Sequence, residues 1–474
     1  MHDTIVRLES ISIENFKNVK NGQLSFVNNR KPFRASILGL YGQNGSGKTA
    51  LIDAIELLQL ALSGQPIPVK FADYINVEAE FASLHYEFSV LEKDAKYQAF
   101  YKFNLRAEKV ENSQNTEVAK SEEIHYKAVI VDELLSYSYE DNKSKVRKST
   151  LIDTTSSKVF APTKKYSCLI GKNKNTVMNL IVDKKVVYGT SRSFIFSKEL
   201  LTAMRNNQKN QNDPEYIRHM TLIESLVRYG NFELFTINTT NSGIISMNVL
   251  PLSFKYENGA NRAVGNILVP LDKAVPIPEE AVATVESVIL NMNVVLSQII
   301  PGLTIHIENL GNEASQNGKR ETKIQLMSLK NKKTIPLKNE SDGIKKIISI
   351  LNLLIAFYNR SSITVAIDEL DSGIFEYLLG ELLRVISEKG KGQLLFTSHN
   401  LRPLETLDRG FIAFTTTNPS NRYIRMTNLK DNNNLRDFYF RDIILGEQNE
   451  EVYDPTNNSE IALAFQEAGE FGGA

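Results

Sequence analysis

Short apolar runs and longer stretches with a helical repeat alternate along the chain, and together they predict its elements. Residues 35–41, 364–367 and 393–397 are largely apolar runs typical of buried strands. Helical spacing follows the first two runs, with apolar residues at Leu51, Ile55, Leu58 and Leu62 and at Leu378, Leu382 and Ile386. Buried strands that alternate with helices are typical of an α/β fold with a parallel sheet.

A further helix is predicted just before the second strand. Its apolar positions are Ile344, Ile347, Ile348, Leu351, Leu354, Ile355 and Tyr358. Ser341 or Asp342 is a natural N-cap for it, and Gly343 permits an anion to approach the free N–H groups of the first turn. A capped core helix without a ligand has the same pattern, so this stretch alone does not decide between the two interpretations.

The middle of the chain has a different pattern. Strand-like runs separated by polar turns predict an antiparallel extension, and they lie at 80–90, 97–105, 125–131 and 184–188. The polar stretch 111–120 predicts a loop.

Helical spacing returns over 197–231, interrupted by the polar stretch 205–212, and Pro276 and Pro278 introduce a helix over 279–300. Lys330–Lys333 is typical of an exposed hairpin turn rather than of a nucleic-acid site. No heptad repeat is long enough for an extended coiled coil.

The composition narrows the class of protein. The chain has 474 residues, of which 42% are hydrophobic and 23% charged, as in an average globular protein. Lys+Arg and Asp+Glu number 55 each, so the formal net charge is zero. The net charge therefore gives no support to a protein that coats nucleic acid. Because Cys168 is the only cysteine, neither an intrachain disulfide nor a cysteine zinc cage is possible. No segment is expected to span a membrane and the N-terminus lacks a signal-peptide pattern, so a cytoplasmic location is expected.

A phosphate-binding motif follows the first predicted strand directly. It is the complete pattern GxxxxGK[ST], made by Gly42, Gln43, Asn44, Gly45, Ser46, Gly47, Lys48 and Thr49. Glycines let the backbone N–H groups wrap around phosphates at a helix N-terminus. Lys48 brings a positive charge to the β- and γ-phosphates, and Thr49 offers a hydroxyl to Mg²⁺. The pattern therefore predicts a nucleoside triphosphate site.

The second strand supplies the acidic half of such a site. It ends in Asp368 and Glu369, where Asp368 is placed to hold Mg²⁺ and Glu369 to orient and deprotonate the attacking water. An apolar strand that merely enters a solvated loop also ends in acids, but here Asp371 and the next strand follow. His399 closes that strand, at the sheet edge where open α/β sheets bind ligands. We therefore interpret His399 as a γ-phosphate sensor.

The order of these motifs resembles the ABC-type ATPase heads of the SMC, RecF and OLD superfamily, in the branch without long coiled coils. The resemblance also includes 11–17, similar to the first strand and loop of such heads, 340–343 in place of the signature motif, and 433–439. It is dense over about 1–100 and 335–445. Ser-Asp-Gly-Ile replaces the Gly-Gly-Gln core of the signature, Gln98 is a candidate for the glutamine of the Q-loop, and Lys17 is either a nucleotide contact or a surface lysine.

The resemblance implies a site shared between two copies of the chain around ATP and Mg²⁺. Two heads pack head to tail, so Ser341 and Gly343 of one copy would touch the γ-phosphate bound by Lys48 of the other. Asp371 would cross the dimer seam, and hydrolysis would open and close the dimer. A larger assembly such as a hexamer is compatible with this.

The expected fold class is accordingly a P-loop NTPase of the ABC-type head, with an antiparallel β extension and a helical insertion. Four parts are expected: an N-terminal ATPase lobe at 1–195, a helical insertion at 196–330, a C-terminal ATPase lobe at 331–446, and an acidic tail at 447–474. The tail has either no fixed structure or a short partner-binding helix, since Ile461, Phe465 and Ala468 have helical spacing.

The whole chain resembles the ATPase subunit of PARIS-type anti-phage defence systems. That resemblance implies a regulatory ATPase controlling a separate effector, such as a TOPRIM-type nuclease, in response to a phage-encoded trigger. The alternative is a DNA-repair or chromosome-maintenance ATPase of the RecF or SMC kind, which would clamp DNA; the sequence leaves DNA binding open. A membrane-transporter subunit is the third and least favoured class.

Overall fold

A computed structural model of the chain provides the fold. It describes residues 4–27, 35–110, 125–207, 210–238, 249–258, 261–271, 273–314, 320–426, 434–446 and 448–471. The predicted loop at 111–120, and parts of the stretches 205–212 and 433–439, lie outside these residues.

In the part of the chain that the structure describes, a mostly parallel sheet of six strands carries the predicted motifs. Its order is β18-β17-β3-β16-β15-β8, and only β18 pairs antiparallel. The strands are β3 (Ser36–Tyr41), β8 (Leu234–Ile237), β15 (Thr364–Ile367), β16 (Gln393–Thr397), β17 (Ile412–Thr415) and β18 (Tyr423–Ile424). Because β3, β15 and β16 run in the same direction, their carboxyl ends meet at one edge of the sheet. The α/β fold class and these three predicted strands are confirmed.

A second, antiparallel sheet extends from the N-terminal half in the order β2-β1-β4-β5-β6-β7. Its strands are β1 (Ile5–Phe16), β2 (Val19–Ser25), β4 (Ala82–Glu92), β5 (Ala95–Lys109), β6 (Tyr126–Glu140) and β7 (Lys145–Asp153). Three of the predicted strand-like runs fall in β4, β5 and β6. The predicted strand at 184–188 is wrong, because these residues belong to a helix whose N-cap, Asn173, accepts a hydrogen bond from Asn175 N.

Helices flank both sheets. They are α1 (Lys48–Leu62), α2 (Thr163–Leu169), α3 (Lys174–Gly189), α4 (Lys198–Arg205), α5 (Pro214–Phe232), α6 (Glu279–Ile299), α7 (Asp342–Asn359), α8 (Glu376–Lys389), α9 (Pro403–Thr406), α10 (Leu435–Leu445) and α11 (Asn458–Phe471). The predicted helices at 51–62, 197–231, 279–300, 344–358 and 378–386 are confirmed. The acidic tail contains a helix, α11.

The segment 196–330 contains strands as well as the expected helices. Two further sheets are β9–β10 and β11-β13-β12, with β14 at the side of β13. Their strands are β9 (Val249–Asn258), β10 (Asn261–Pro270), β11 (Val275–Pro278), β12 (Leu303–Ala314), β13 (Arg320–Lys330) and β14 (Lys333–Pro336). The basic cluster at 330–333 is the turn between β13 and β14, as predicted.

Helix α6 corrects the expectation that no segment is long and apolar enough to span a membrane. Among the described residues, Val282–Ile299 passes that test by length and composition, with a mean hydropathy of 1.4. Only Glu286 is charged in this stretch. One face of α6 packs in a core through Ile289, Met292 and Leu296.

Candidate nucleotide site

The predicted phosphate loop connects β3 to α1 and has the backbone conformation that its glycines require. Gly42 has φ +151°, and a Cβ there would lie 1.8 Å from Thr415 Oγ1. Gly47 has φ +93° and is the N-cap of α1, where no side chain caps the first turn. The N–H groups at the start of α1 therefore remain available for an anion. A Cβ at Gly42 would clash with Thr415, and a side chain at Gly47 would be strained by the positive φ.

Lys48 is buried inside this loop. Its Nζ donates hydrogen bonds to the carbonyl oxygens of Gly42 and Gln43, each at 2.8 Å. Burial lowers the pKa of Lys48, while the nearby carboxylates, Asp368 first among them, act against that shift. Phosphate oxygens that enter the loop would take the place of these two carbonyls.

The acidic pair lies at the end of β15, opposite the loop. Asp368 is fully buried, and its Oδ1 accepts a hydrogen bond of 2.5 Å from Thr397 Oγ1 at the end of β16. Thr397 Oγ1 in turn accepts a 2.7 Å hydrogen bond from Glu369 N. Glu369 has a left-handed φ of +48°, an uncommon conformation for a non-glycine residue that often occurs at functional sites. One threonine hydroxyl therefore positions both acids.

His399 and Asp371 are connected within one chain. Asp371 Oδ2 accepts hydrogen bonds from the backbone N–H groups of His399 (3.0 Å) and Asn400 (2.9 Å). This holds the loop after β16 against the loop after β15. In the described part of the chain, Asp371 thus contacts the His399 loop, and whether it also crosses a dimer seam stays a prediction.

A cavity of about 320 Å³ lies between these groups. Its lining includes Asn44, Gly45, Gly47, Lys48, Thr49, Asp368, Glu369 and His399 from the predicted set. Two distant stretches of the sequence thus meet around one space. The other predicted loop residues have structural contacts: Ser46 Oγ donates to Gln43 O at 2.7 Å, and Gln43 bonds to Asp454.

Ser341 and Gly343 lie outside the lining of this cavity. Ser341 is exposed and caps α7, where its side chain accepts a hydrogen bond from Ile344 N. A Cβ on Gly343 would lie 1.9 Å from Gly373 O, so the start of α7 packs directly on the loop that follows the acidic pair. Within one chain, Gly343 is therefore required for packing.

Lys17 and Asn18 also belong to the site. The sequence left the role of Lys17 open and gave no signal for Asn18. Both line the cavity; Lys17 forms an ion pair with buried Asp53 and lies 4.0 Å from the ring centroid of Tyr74. Asn18 Nδ2 donates to Gly45 O in the phosphate loop. Gln98, the candidate Q-loop residue, lies instead in β5, where its side chain donates to Glu9 Oε2 at 3.2 Å.

Lys346 was not anticipated, because it lies among the apolar positions of α7. It is 2% exposed, and burial lowers its pKa. The carboxylates of Asp368, Glu369 and Asp371 act against that shift, so this lysine lies near enough to the acidic pair to interact with it.

The donor set fits a magnesium ion bound together with a triphosphate. Among the described residues, no group of three or more His, Cys, Asp or Glu residues could hold a metal without a ligand. Asp368 Oδ2 is nevertheless buried without a hydrogen-bond partner in the described structure. Thr49 lines the same cavity as Asp368, so a hydroxyl and a carboxylate of the types that bind Mg²⁺ come from residues around one space, where phosphate oxygens would complete the set of ligands.

Comparison with known families decides the class. The sequence profile described as AAA ATPase domain matches residues 7–402. The chain belongs to the AAA ATPase domain family. The family assignment confirms the expected P-loop ATPase class. A search of curated proteins found no match to the chain.

Solved structures similar to this AAA ATPase domain protein include SMC heads. The Smc head with an extended coiled coil bound to the C-terminal domain of ScpA, from Pyrococcus furiosus, is 11% identical, with a TM-score of 0.37. That match covers 89% of this chain and 96% of the other. The SMC head domain from Thermotoga maritima is 13% identical, with a TM-score of 0.34 and coverage of 89% and 99%.

Proposed function

We propose that this AAA ATPase domain protein hydrolyses ATP, dimerises around it, and regulates a separate effector. The observation that carries the ATPase activity is the cavity that brings Lys48 and Thr49 together with Asp368, Glu369 and His399. These are the groups that phosphoryl transfer to water requires: a phosphate cradle, a metal-binding pair and a base. A cytoplasmic location, where ATP is available, forms part of the proposal.

In this mechanism, the N–H groups of the phosphate loop and Lys48 Nζ bind the triphosphate and neutralise its charge. Mg²⁺, held by Thr49 and Asp368, would supply further positive charge at the β- and γ-phosphates. Glu369 accepts a proton from the water that attacks the γ-phosphorus, and the bond from that phosphorus to the bridging oxygen breaks to release ADP. His399, at the cavity wall, contacts the γ-phosphate.

The position of the signature-like residues supports the proposed dimer. Ser341 and Gly343 do not line the cavity of their own chain, whereas the start of α7 has an exposed N-cap. A second copy, placed head to tail, would bring its own α7 N-terminus to the triphosphate.

Mixing two inactive variants tests this sharing. Lys48→Ala removes the phosphate contact and Ser341→Arg blocks the partner's site, so each variant alone should lack ATPase activity. A 1:1 mixture should recover roughly a quarter of wild-type activity, because half of the dimers are mixed and each has one intact site. The measurement is phosphate release at saturating ATP.

The control is Ser341→Asn, which retains a capping side chain and should remain folded and active. If the mixture stays as inactive as its components although the copies exchange, the site is complete within one chain.

The hydroxyl of Thr397 gives a second prediction. Thr397→Val keeps the side-chain shape but removes the hydrogen bond to Asp368, so we expect a 10- to 100-fold loss, roughly, in magnesium affinity or activity. The measurement is ATPase rate against Mg²⁺ concentration. Thr364→Val is the matched control, since Thr364 is equally buried at the other end of β15 and bonds to Tyr229 Oη.

An unchanged Mg²⁺ requirement in Thr397→Val would show that Asp368 is not the metal-binding carboxylate. A similar shift in Thr364→Val would show that only general destabilisation of β15 is being measured.

The proposed role is anti-phage defence, with a TOPRIM-type nuclease as the effector and a phage-encoded trigger. This part rests on the resemblance to PARIS-type ATPase subunits. It is tested by purifying the protein with and without the trapped-ATP variant Glu369→Gln and identifying what co-purifies. A co-purifying nuclease supports the defence role. Tight, steeply salt-dependent binding to duplex DNA without such a partner would favour the DNA-clamping alternative.

A further inference from the structure

Helix α11 has an apolar face that no other described part of its own chain covers. Ile461 and Phe465, one turn apart, are 43% and 78% exposed, and Leu463 is 54% exposed. Ala464 and Ala468 lie on the same face as Ile461 and Phe465 by helical spacing. An uncovered stripe of this kind on a helix usually docks on another surface.

The segment before α11 is fixed to the nucleotide site. Val452 is 2% exposed, and Thr417 N donates to Glu451 O at 2.8 Å. Asp454 N then donates to Gln43 Oε1 at 2.8 Å, and Gln43 Nε2 donates to Asp454 Oδ2 at 3.3 Å. Helix α11 starts at Asn458, four residues after Asp454, so it begins within about 14 Å of the residue that contacts the phosphate loop.

A complementary stripe lies on α3. Met178, Val182 and Val186 follow one another at four-residue intervals and are 68%, 61% and 53% exposed. Exposed Lys174 and Lys185 lie on the same helix. The stripe is therefore apolar with a basic edge on the side of Lys174 and Lys185, while Asp183 lies beside its other edge.

The border of α11 has the opposite charge. Glu460 and Glu467 are exposed, and the sequence after residue 446 contains no Lys or Arg. The two helices also match in length, at about 21 Å for α11 and about 24 Å for α3. Both thus offer an apolar stripe of similar length with charges of opposite sign beside it.

We propose that α11 of one copy docks on α3 of a second copy. In the single chain both stripes are exposed, so they do not cover each other; a second copy supplies each with its complement. This contact links copies of the protein independently of ATP, because it uses neither Lys48 nor the acidic pair. It therefore goes beyond the ATP-dependent dimer and permits assemblies larger than two.

Charge reversal with rescue tests the contact. The full-length protein is studied by analytical ultracentrifugation without nucleotide, comparing wild type with Glu460→Lys/Glu467→Lys and with Lys174→Glu/Lys185→Glu. Each double variant should self-associate at least tenfold more weakly, because like charges then face each other across the contact. Mixing the two variants should restore association, since the basic α11 of one fits the acidic α3 of the other.

The matched control is Lys143→Glu/Lys158→Glu, which reverses two exposed lysines outside α3 and should associate like wild type. Lys48→Ala should also associate like wild type, so a failure of the proposed ATPase function leaves this result unaffected. Unchanged association in both α3 and α11 variants, or no rescue on mixing, would overturn the proposal.

A crosslink locates the contact directly. The experiment uses two cysteine variants of different size, both in a Cys168→Ser background. One carries Phe465→Cys and the other carries Met178→Cys, and the two are mixed and oxidised. A disulfide between the two sizes is expected. Phe465→Cys that crosslinks instead to Tyr377→Cys, which is exposed on α8, would overturn α3 as the docking surface.

Discussion

Lys48→Ala should abolish ATP binding and reduce hydrolysis to background, the largest effect that we expect from any single substitution. The Lys48 ammonium lies inside the phosphate loop, where it donates to two backbone carbonyl groups that phosphate oxygens would replace. Without it, the carboxylates of Asp368 and Glu369 would face the triphosphate with little compensating charge. Equilibrium binding of a fluorescent ATP analogue, together with phosphate release, measures both losses.

Lys338→Ala is a suitable control, since Lys338 precedes α7 and does not line the cavity. It should bind and hydrolyse ATP normally. Near-normal turnover by Lys48→Ala, in protein that unfolds at the wild-type temperature, would remove this loop from the proposed site.

Glu369→Gln should retain ATP binding but lose hydrolysis by a factor of about 10² to 10⁴, the usual contribution of a general base. The amide preserves the size and the backbone contact of Glu369 N with Thr397 but cannot accept the proton from water. Because ATP then persists in the site, the proposed dimer should accumulate. Light scattering with ATP, with ADP and without nucleotide measures this accumulation.

Glu376→Gln is the matched control, because Glu376 starts α8 a few residues later and lies outside the cavity lining. Hydrolysis at the wild-type rate by Glu369→Gln would place the base elsewhere. If Glu369→Gln loses hydrolysis but forms no dimer with any nucleotide, Glu369 remains the proposed base, whereas the ATP-dependent dimer is contradicted.

The elements of the site that were predicted from sequence carry local signals. The phosphate loop combines a fixed spacing with a strand before it and a helix after it, and Thr364–Ile367 is apolar up to its two acids. Ser341 follows the ordinary rule for N-caps and does cap α7. Such features depend only on residues that are close in the sequence, so they can be predicted without knowledge of the fold.

The remaining features depend on contacts between distant parts of the chain. Thr397 reaches Asp368 because β15 and β16 pair in parallel with Ile367 opposite Phe396, a register that the sequence does not display. Lys346 lies outside the helix face that the sequence predicts to be apolar, as a surface lysine would, yet it is buried near the acids.

The strand predicted at 184–188 failed for a different reason. Val186 and Val187 are β-branched and favour strands, but tertiary packing overrides that preference. Leu180 and Val187, seven residues apart, are the two buried residues of α3, and this spacing is helical.

The tight contact between Gly343 and Gly373 has a consequence for cooperativity. There is no space for even a methyl group between the start of α7 and the loop after the acidic pair, so neither segment can move toward the other without displacing it. In the proposed head-to-tail pair, the first segment would serve the neighbour's triphosphate, whereas the second would belong to the chain's own site. Hydrolysis at one nucleotide site of the pair would then displace a segment of the other site. The two sites would therefore hydrolyse ATP in a correlated order rather than independently.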